Sequence, residues 1–164
     1  MTEKELRLKH ITAADMDDLL ALEHLCFSRP WTATSFLAEL LAETACHLGI
    51  EKNTDPAGEN FFLTAYLFFR VIADEMQIMK IAVGPAHRGQ GIASLLLGAG
   101  IQQARQAGAA ASFLEVRSSN TAALAFYTGQ GFRQIGIRKD YYPGNKSAEK
   151  EDALLLMKNL KEGL

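Results

Sequence analysis

Apolar positions along the chain switch between two spacings, and the switches predict the elements. Leu6 and Leu8 alternate with charged residues, a period of two that predicts a short edge strand. Thr12 and Asp15 stand at capping-box spacing, and Met16, Leu19, Leu20, Leu22, Leu25 and Cys26 then recur at helical intervals. Pro30-Trp31-Thr32 ends that helix. Phe36, Leu37, Leu40 and Leu41 predict a second amphipathic helix, capped by Thr32 or Thr34 and forming a hairpin with the first over one end of a sheet. A short strand is expected over 46–50, and the polar stretch 51–60, with Asp55-Pro56 and Gly58, reads as a connecting loop. Residues 61–72 and 75–83 are rich in β-branched and aromatic side chains and predict two antiparallel strands joined near Ala73-Asp74.

A long helix is expected from Ile92 to about Ala107, carrying Leu95, Leu96, Leu97 and Ile101. Gly98 and Gly100 inside it cost roughly 1 kcal/mol each relative to alanine, so a close neighbour is expected on that face. Residues 111–117 form the next strand, parallel to its predecessor because a helix crosses between them. Asn120 opens a further helix that runs through Leu124, Phe126 and Tyr127 to a glycine stop at Gly129 or Gly131. Strands over 132–139 and 153–158, separated by a polar loop at 140–152, close the chain. The order β-α-α-β-β-β-α-β-α-β-β predicts an α/β fold, a mixed sheet with helices on its faces. The 164 residues fit one domain, 1–164, large enough for a core without staples.

Charge and composition remove several functions. Lys+Arg 17 against Asp+Glu 19 leaves a formal net charge of −2, with no electrostatic footprint for nucleic acid or an anionic membrane. The densest apolar runs, 61–69 and 92–101, fall short of the ~18 residues a membrane span requires. The first ten residues lack the apolar core of a secretory signal, so a cytoplasmic protein is expected. Cys26 and Cys46 read as buried free thiols of a reducing compartment. His10, His24, His47 and His87 are scattered, and no metal site is predicted.

The chemistry concentrates at residues 82–93. An apolar run stops at Gly84-Pro85, and a basic, glycine-rich loop then opens directly into the long helix. Arg88 supplies a guanidinium, while Gly89 and Gly91 let the backbone approach a ligand and turn several N–H groups one way. No Ser, Thr, Asp or Asn stands at the natural cap position, so the first N–H groups of that helix lack a side-chain partner. A pyrophosphate at the positive end of the dipole would cap them. The mononucleotide P-loop is excluded, since Ile92-Ala93 follows Gly91 where Lys and Ser or Thr are required. The three-glycine dinucleotide fingerprint is not met either.

Taken together, Ile81-Ala82-Val83, Arg88-Gly89-Gln90-Gly91-Ile92-Ala93, Asn120, Tyr127 and Gly131-Phe132 resemble the GCN5-related N-acetyltransferase (GNAT) family. The segments Leu114-Glu115-Val116-Arg117, Ser119-Asn120 and Arg138-Lys139-Asp140-Tyr141-Tyr142-Pro143 are most similar to its RimI branch, which acetylates the N-terminus of a small-subunit ribosomal protein. The resemblance implies a largely antiparallel sheet of about seven strands with about four helices. It implies acetyl-CoA as cosubstrate, its pyrophosphate held by Arg88, Gly89, Gln90, Gly91, Ile92 and Ala93, and its pantetheine arm and thioester held by the backbone of Ile81, Ala82 and Val83. By position, Glu115 becomes the base, Tyr127 the acid and Asn120 a coenzyme contact. Trp31, Tyr141 and Tyr142 become walls of the groove that takes the N-terminal segment of a protein substrate.

Each role has a plainer counterpart. A glutamate in an alternating strand often faces water, a tyrosine beside Phe126 is often core, Asn120 is a natural helix cap, and Trp31 is as well suited to a core as to a groove. An α-amine, with a pKa of ≈ 7.7–8.0 against ≈ 10.4 for lysine, loses its proton more easily to a carboxylate acting through water. A glutamate near its ordinary ≈ 4.3 is a poor base, so burial at the strand end is expected to raise Glu115. An acetyltransferase of a small-molecule amine or of protein lysine and a non-catalytic acyl-CoA sensor remain as alternatives; the sensor would keep the loop without needing Glu115 and Tyr127.

Overall fold

The computed structural model describes residues 6–55, 57–58, 60–144 and 149–161. In chain order its main elements are β1 (Leu6–His10), α1 (Met16–Cys26), α2 (Ala33–Leu40), β2 (Ala45–Asn53), β3 (Phe61–Ile72) and β4 (Glu75–Val83). Then come α3 (Ile92–Gln106), β5 (Ala111–Arg117), α4 (Thr121–Gly129), β6 (Arg133–Tyr142) and β7 (Glu151–Asn159). The strands make one sheet in the order β1-β2-β3-β4-β5-β7-β6. Neighbours are antiparallel except β4 and β5, which run parallel because α3 crosses between them.

Several boundaries differ from the sequence pattern, each for a local reason. β2 runs on to Asn53, so the connection covers 54–60 rather than 51–60. Glu51 tolerates a buried strand position because Arg7 Nη2 at 2.5 Å and Lys9 Nζ at 3.2 Å reach it from β1. β6 and β7 also extend into the expected loop, which shrinks from 140–152 to 143–150. There the ladder shifts register, and the left-handed Asp140 donates its N–H to Asp152 Oδ1 at 2.9 Å. The capping box at Thr12 and Asp15 opens a short 3₁₀ turn, Ala13–Asp15, before α1 begins. Thr32, not Thr34, caps α2 by accepting from the Ser35 N–H at 3.2 Å. Cys26 and Cys46 are free thiols but only half-buried.

Each face of the sheet carries its own core. On one, Leu67, Phe69, Met76 and Ile78 meet Ile92, Leu96, Leu97 and Ile101 of α3 and Tyr127 of α4. On the other, Leu63, Tyr66, Phe68 and Ala82 meet Leu19, Leu22 and Phe36, so α1 and α2 cover a face of the sheet rather than one end. Gly100 is the point of closest approach: a Cβ there would lie 2.5 Å from Leu67 Cδ2. Gly98 faces open space, so the neighbour expected beside both glycines exists for one alone.

A β-bulge connects the fold to the site. Phe68 pairs with Lys80 and Phe69 with Ile78, which leaves Met79 as an extra residue in β4. One inserted residue turns a strand over. Met76 and Ile78 therefore face α3, whereas Ala82 packs with α1 and α2 and Lys80 reaches Glu23 of α1.

Candidate active site

β4 and β5 are paired over only three residues each, Glu75, Met76 and Gln77 against Ala111, Ser112 and Phe113. Beyond them the strands part and open a cleft of about 1010 Å³ lined by residues 78–83 and 114–117. The cleft runs through the sheet. Arg88, Gly89, Gly91, Ile92, Ala93, Asn120, Phe126 and Tyr127 line it on the α3 and α4 side, and Cys26, Phe27, Ser28, Arg29 and Tyr142 on the α1 side. Strands that separate leave backbone N–H and C=O groups of β4 without a ladder partner, ready for an extended ligand.

At the first end, Gly89 and Gly91 adopt φ of +72° and +77°, a left-handed conformation that favours glycine, and a Cβ on either would meet nothing within 4 Å. Gly91 is the N-cap of α3 and offers no side-chain hydrogen bond, so the first-turn N–H groups of a 15-residue helix face the same opening. Arg88 curls back, its Nε donating to the Val83 carbonyl at 3.0 Å. Anion-binding donors thus converge where a diphosphate would fit. Gln90 does not line the cleft; its side-chain amide donates to the Ala86 carbonyl at 3.3 Å. Asn120 caps α4 through Oδ1, which accepts from the Ala123 N–H at 3.2 Å, while still lining the cleft. Cap and ligand contact are compatible.

Tyr127 is 5% exposed, wedged against Phe126 and Phe132 with ring centroids 5.1 and 5.4 Å away. Burial pushes its phenol far above the ordinary range, so the hydroxyl stays protonated. Glu115 also lines the cleft, but its side chain keeps 26% exposure and its Oε1 lies 3.1 Å from Arg138 Nε. The deep burial expected of Glu115 is therefore not present: water reaches the carboxylate.

The three aromatic residues proposed for the acceptor groove separate. Tyr142 lines the cleft, with the Arg117 guanidinium 4.4 Å from its ring centroid, and burial raises its phenol. Tyr141 is 49% exposed and makes an edge contact with Tyr142 at 5.0 Å, outside the lining. Trp31 does not line the cleft either; it packs edge-on against Phe36 at 5.4 Å and Phe68 at 6.0 Å, the core position its sequence context left open. The wall itself is built by its neighbours Phe27, Ser28 and Arg29, and Arg29 Nη2 donates to the Gly144 carbonyl at 2.7 Å, tying the two loops that flank the opening.

Sequence reading passed over Lys80 and Glu23 and gave Arg138 no role of its own. A lysine within the apolar strand Ile78 to Val83 and a glutamate four residues after Leu19 on a buried helix face were the available signals. Among the described residues no group of three His, Cys, Asp or Glu side chains could hold a metal, and no helix is long and apolar enough to cross a membrane.

This architecture has counterparts among known proteins. The Escherichia coli (strain K12) ribosomal protein bS18-alanine N-acetyltransferase is 31% identical over 149 residues, 89% of this chain and 94% of that one. The crystal structure of the Escherichia coli ribosomal-protein-S18-alanine N-acetyltransferase superposes with a TM-score of 0.83 at 27% identity, covering 94% of each chain. Arabidopsis thaliana NAA60 in complex with acetyl-CoA shares the fold, with a TM-score of 0.82 at 15% identity over 95% of this chain and 99% of that one. The profile of the Acetyltransferase (GNAT) family matches residues 16–132, a span that holds the glycine loop, the parting strands and the helix bearing Tyr127, and the chain belongs to that family.

Proposed function

We propose that this protein transfers the acetyl group of acetyl-CoA to the N-terminal α-amine of a protein, specifically the N-terminal alanine of a small-subunit ribosomal protein, in the cytoplasm. The observation that carries the reading is the through-sheet cleft. The glycine loop and the start of α3 line one side, the segment 26–29 and Tyr142 line the other, and Glu115 and Tyr127 both line the same cleft. Coenzyme and acceptor thus enter from opposite faces and meet without a covalent enzyme intermediate. The names and overall likeness of the bacterial relatives support the acceptor class.

In the reaction the amine nitrogen attacks the thioester carbonyl, forming the C–N bond, and the C–S bond breaks. The amine proton leaves through water to Glu115, whose carboxylate is solvent-accessible and oriented by Arg138. Tyr127, held protonated by burial, donates to the departing sulfur and recovers its proton from solvent. Backbone groups of Ile81, Ala82 and Val83 align the pantetheine arm, and the residue 88–93 loop holds the diphosphate.

The purified protein incubated with acetyl-CoA and a panel of peptides, read by mass spectrometry, tests the reading. Acetylation of free N-termini, alanine foremost, is expected. A strong preference for lysine side chains or small amines would overturn the acceptor class, and coenzyme A producing no heat in calorimetry would overturn the cradle.

A further inference from the structure

Glu23 is a carboxylate with no exposure at all, inside an apolar core and apart from the cleft lining. A buried charge persists only where its environment fully pairs it. Here three donors do so: the Tyr66 hydroxyl of β3, the Lys80 ammonium of β4, and, from the connection between α1 and α2, the Trp31 backbone N–H at 2.7 Å. Lys80 in turn lies 4.1 Å from the ring centroid of Phe27 and 4.7 Å from that of Trp31, its side chain only 12% exposed. Phe27 and Lys80 both line the α1 side of the cleft. The bulge at Met79 is what makes this possible, because without the extra residue Lys80 would point toward α3.

We propose that Glu23 and Lys80 are positioning residues of the acceptor site: their ion pair holds the 27–31 wall against β4 and so sets acceptor affinity, independently of the coenzyme end. The inference rests on the proposed reading of which cleft end takes the acceptor. Mechanically, the wall is a short irregular segment between α1 and α2, and one carboxylate fastens it from behind. Removing either charge disturbs the seat of Lys80 against Phe27 and Trp31 together, since both rings face the same ammonium.

Steady-state kinetics of Glu23→Gln, Lys80→Met and Lys80→Arg, combined with emission from Trp31, test this. Trp31 is the sole tryptophan of the chain, so its fluorescence reports on the wall without catalysis. In Lys80→Met the peptide KM is expected to rise about tenfold, with kcat and the acetyl-CoA Kd changing less than about twofold. Lys80→Arg, which keeps a cation over the rings, is expected to restore the peptide KM. Glu23→Gln and Lys80→Met should shift Trp31 emission alike in the resting protein. An unchanged peptide KM, or an acetyl-CoA Kd weakened as much as that KM, overturns the inference. Intact acetyl-CoA binding certifies the fold of each variant. Should the wild type acetylate lysine peptides instead of N-termini, the acceptor class falls, while the split between acceptor KM and coenzyme Kd still decides the role of the pair.

Discussion

The ring of Tyr127 packs in the core while its hydroxyl is the proposed acid, and the two can be separated. Tyr127→Phe keeps the contacts with Phe126 and Phe132, so thermal stability should hold. In the proposed mechanism kcat falls by about 10²-fold or more with little change in the KM for acetyl-CoA, as loss of an acid acting only in the transition state requires. Intact turnover would assign the proton to water. Glu115→Gln should likewise lower kcat/KM, and unchanged turnover would refute its role as base. A second titrating residue concerns stability alone. His47 places Nε2 2.9 Å from the Glu39 carbonyl and its ring 4.8 Å from that of Phe68, and burial lowers its pKa below the ordinary 6.5. The unfolded chain then binds more protons than the folded one, so stability is full above about pH 6.5 and declines as pH falls through the lowered value. Melting temperatures recorded between about pH 7.5 and 5.5 should fall, and His47→Gln should shrink the difference; an unaltered difference would refute the assignment.

Helix α3 holds two glycines that should respond to the same substitution with opposite signs. Gly98→Ala adds a methyl into open space and should stabilise by roughly 0.5–1 kcal/mol, whereas Gly100→Ala pushes a Cβ against Leu67 and should cost about 1–3 kcal/mol. Urea midpoints distinguish the two. The contrast also marks what the chain discloses about itself. Glycine content, caps and apolar periods are local, and they revealed the element order, the parallel β4–β5 pair and the glycine loop around Gly89 and Gly91. Where cross-strand partners decide, local reading fell short. Glu51 to Asn53 read as loop because the cations of Arg7 and Lys9 lie some forty residues earlier, and Asp140 to Tyr142 read as loop because their partners lie in β7. The bulge at Met79 exists only as a register between β3 and β4, so the turning of Lys80 toward Glu23 left no mark in either strand alone. For the candidate site, the glycine loop was legible from its backbone demands, while Trp31 was placed one step too far forward and Phe27 to Arg29 build the wall instead.

At the scale of the molecule, the sheet consists of an antiparallel half, β1 to β4, and another, β5, β7 and β6, that meet along three residue pairs. Core residues on the α3 face bridge them from behind. Coenzyme A laid into the opening would touch both halves, so its binding should stabilise the whole fold rather than one loop. At a hundredfold excess over Kd the gain is roughly 2.7 kcal/mol, or about 5–10 °C in melting temperature for a protein of this size. Scanning calorimetry with and without coenzyme A measures it, and an unmoved midpoint would argue against binding. The three-pair seam has a further consequence for how the protein yields. Held in optical tweezers at Leu6 and Asn159, which belong to different halves, the molecule should part first like two leaves along that line, each leaf keeping its own ladders for a while. A nucleotide-tailed thioester lying across both leaves would then serve as their clasp, and the force at first rupture would count how many molecules carry one.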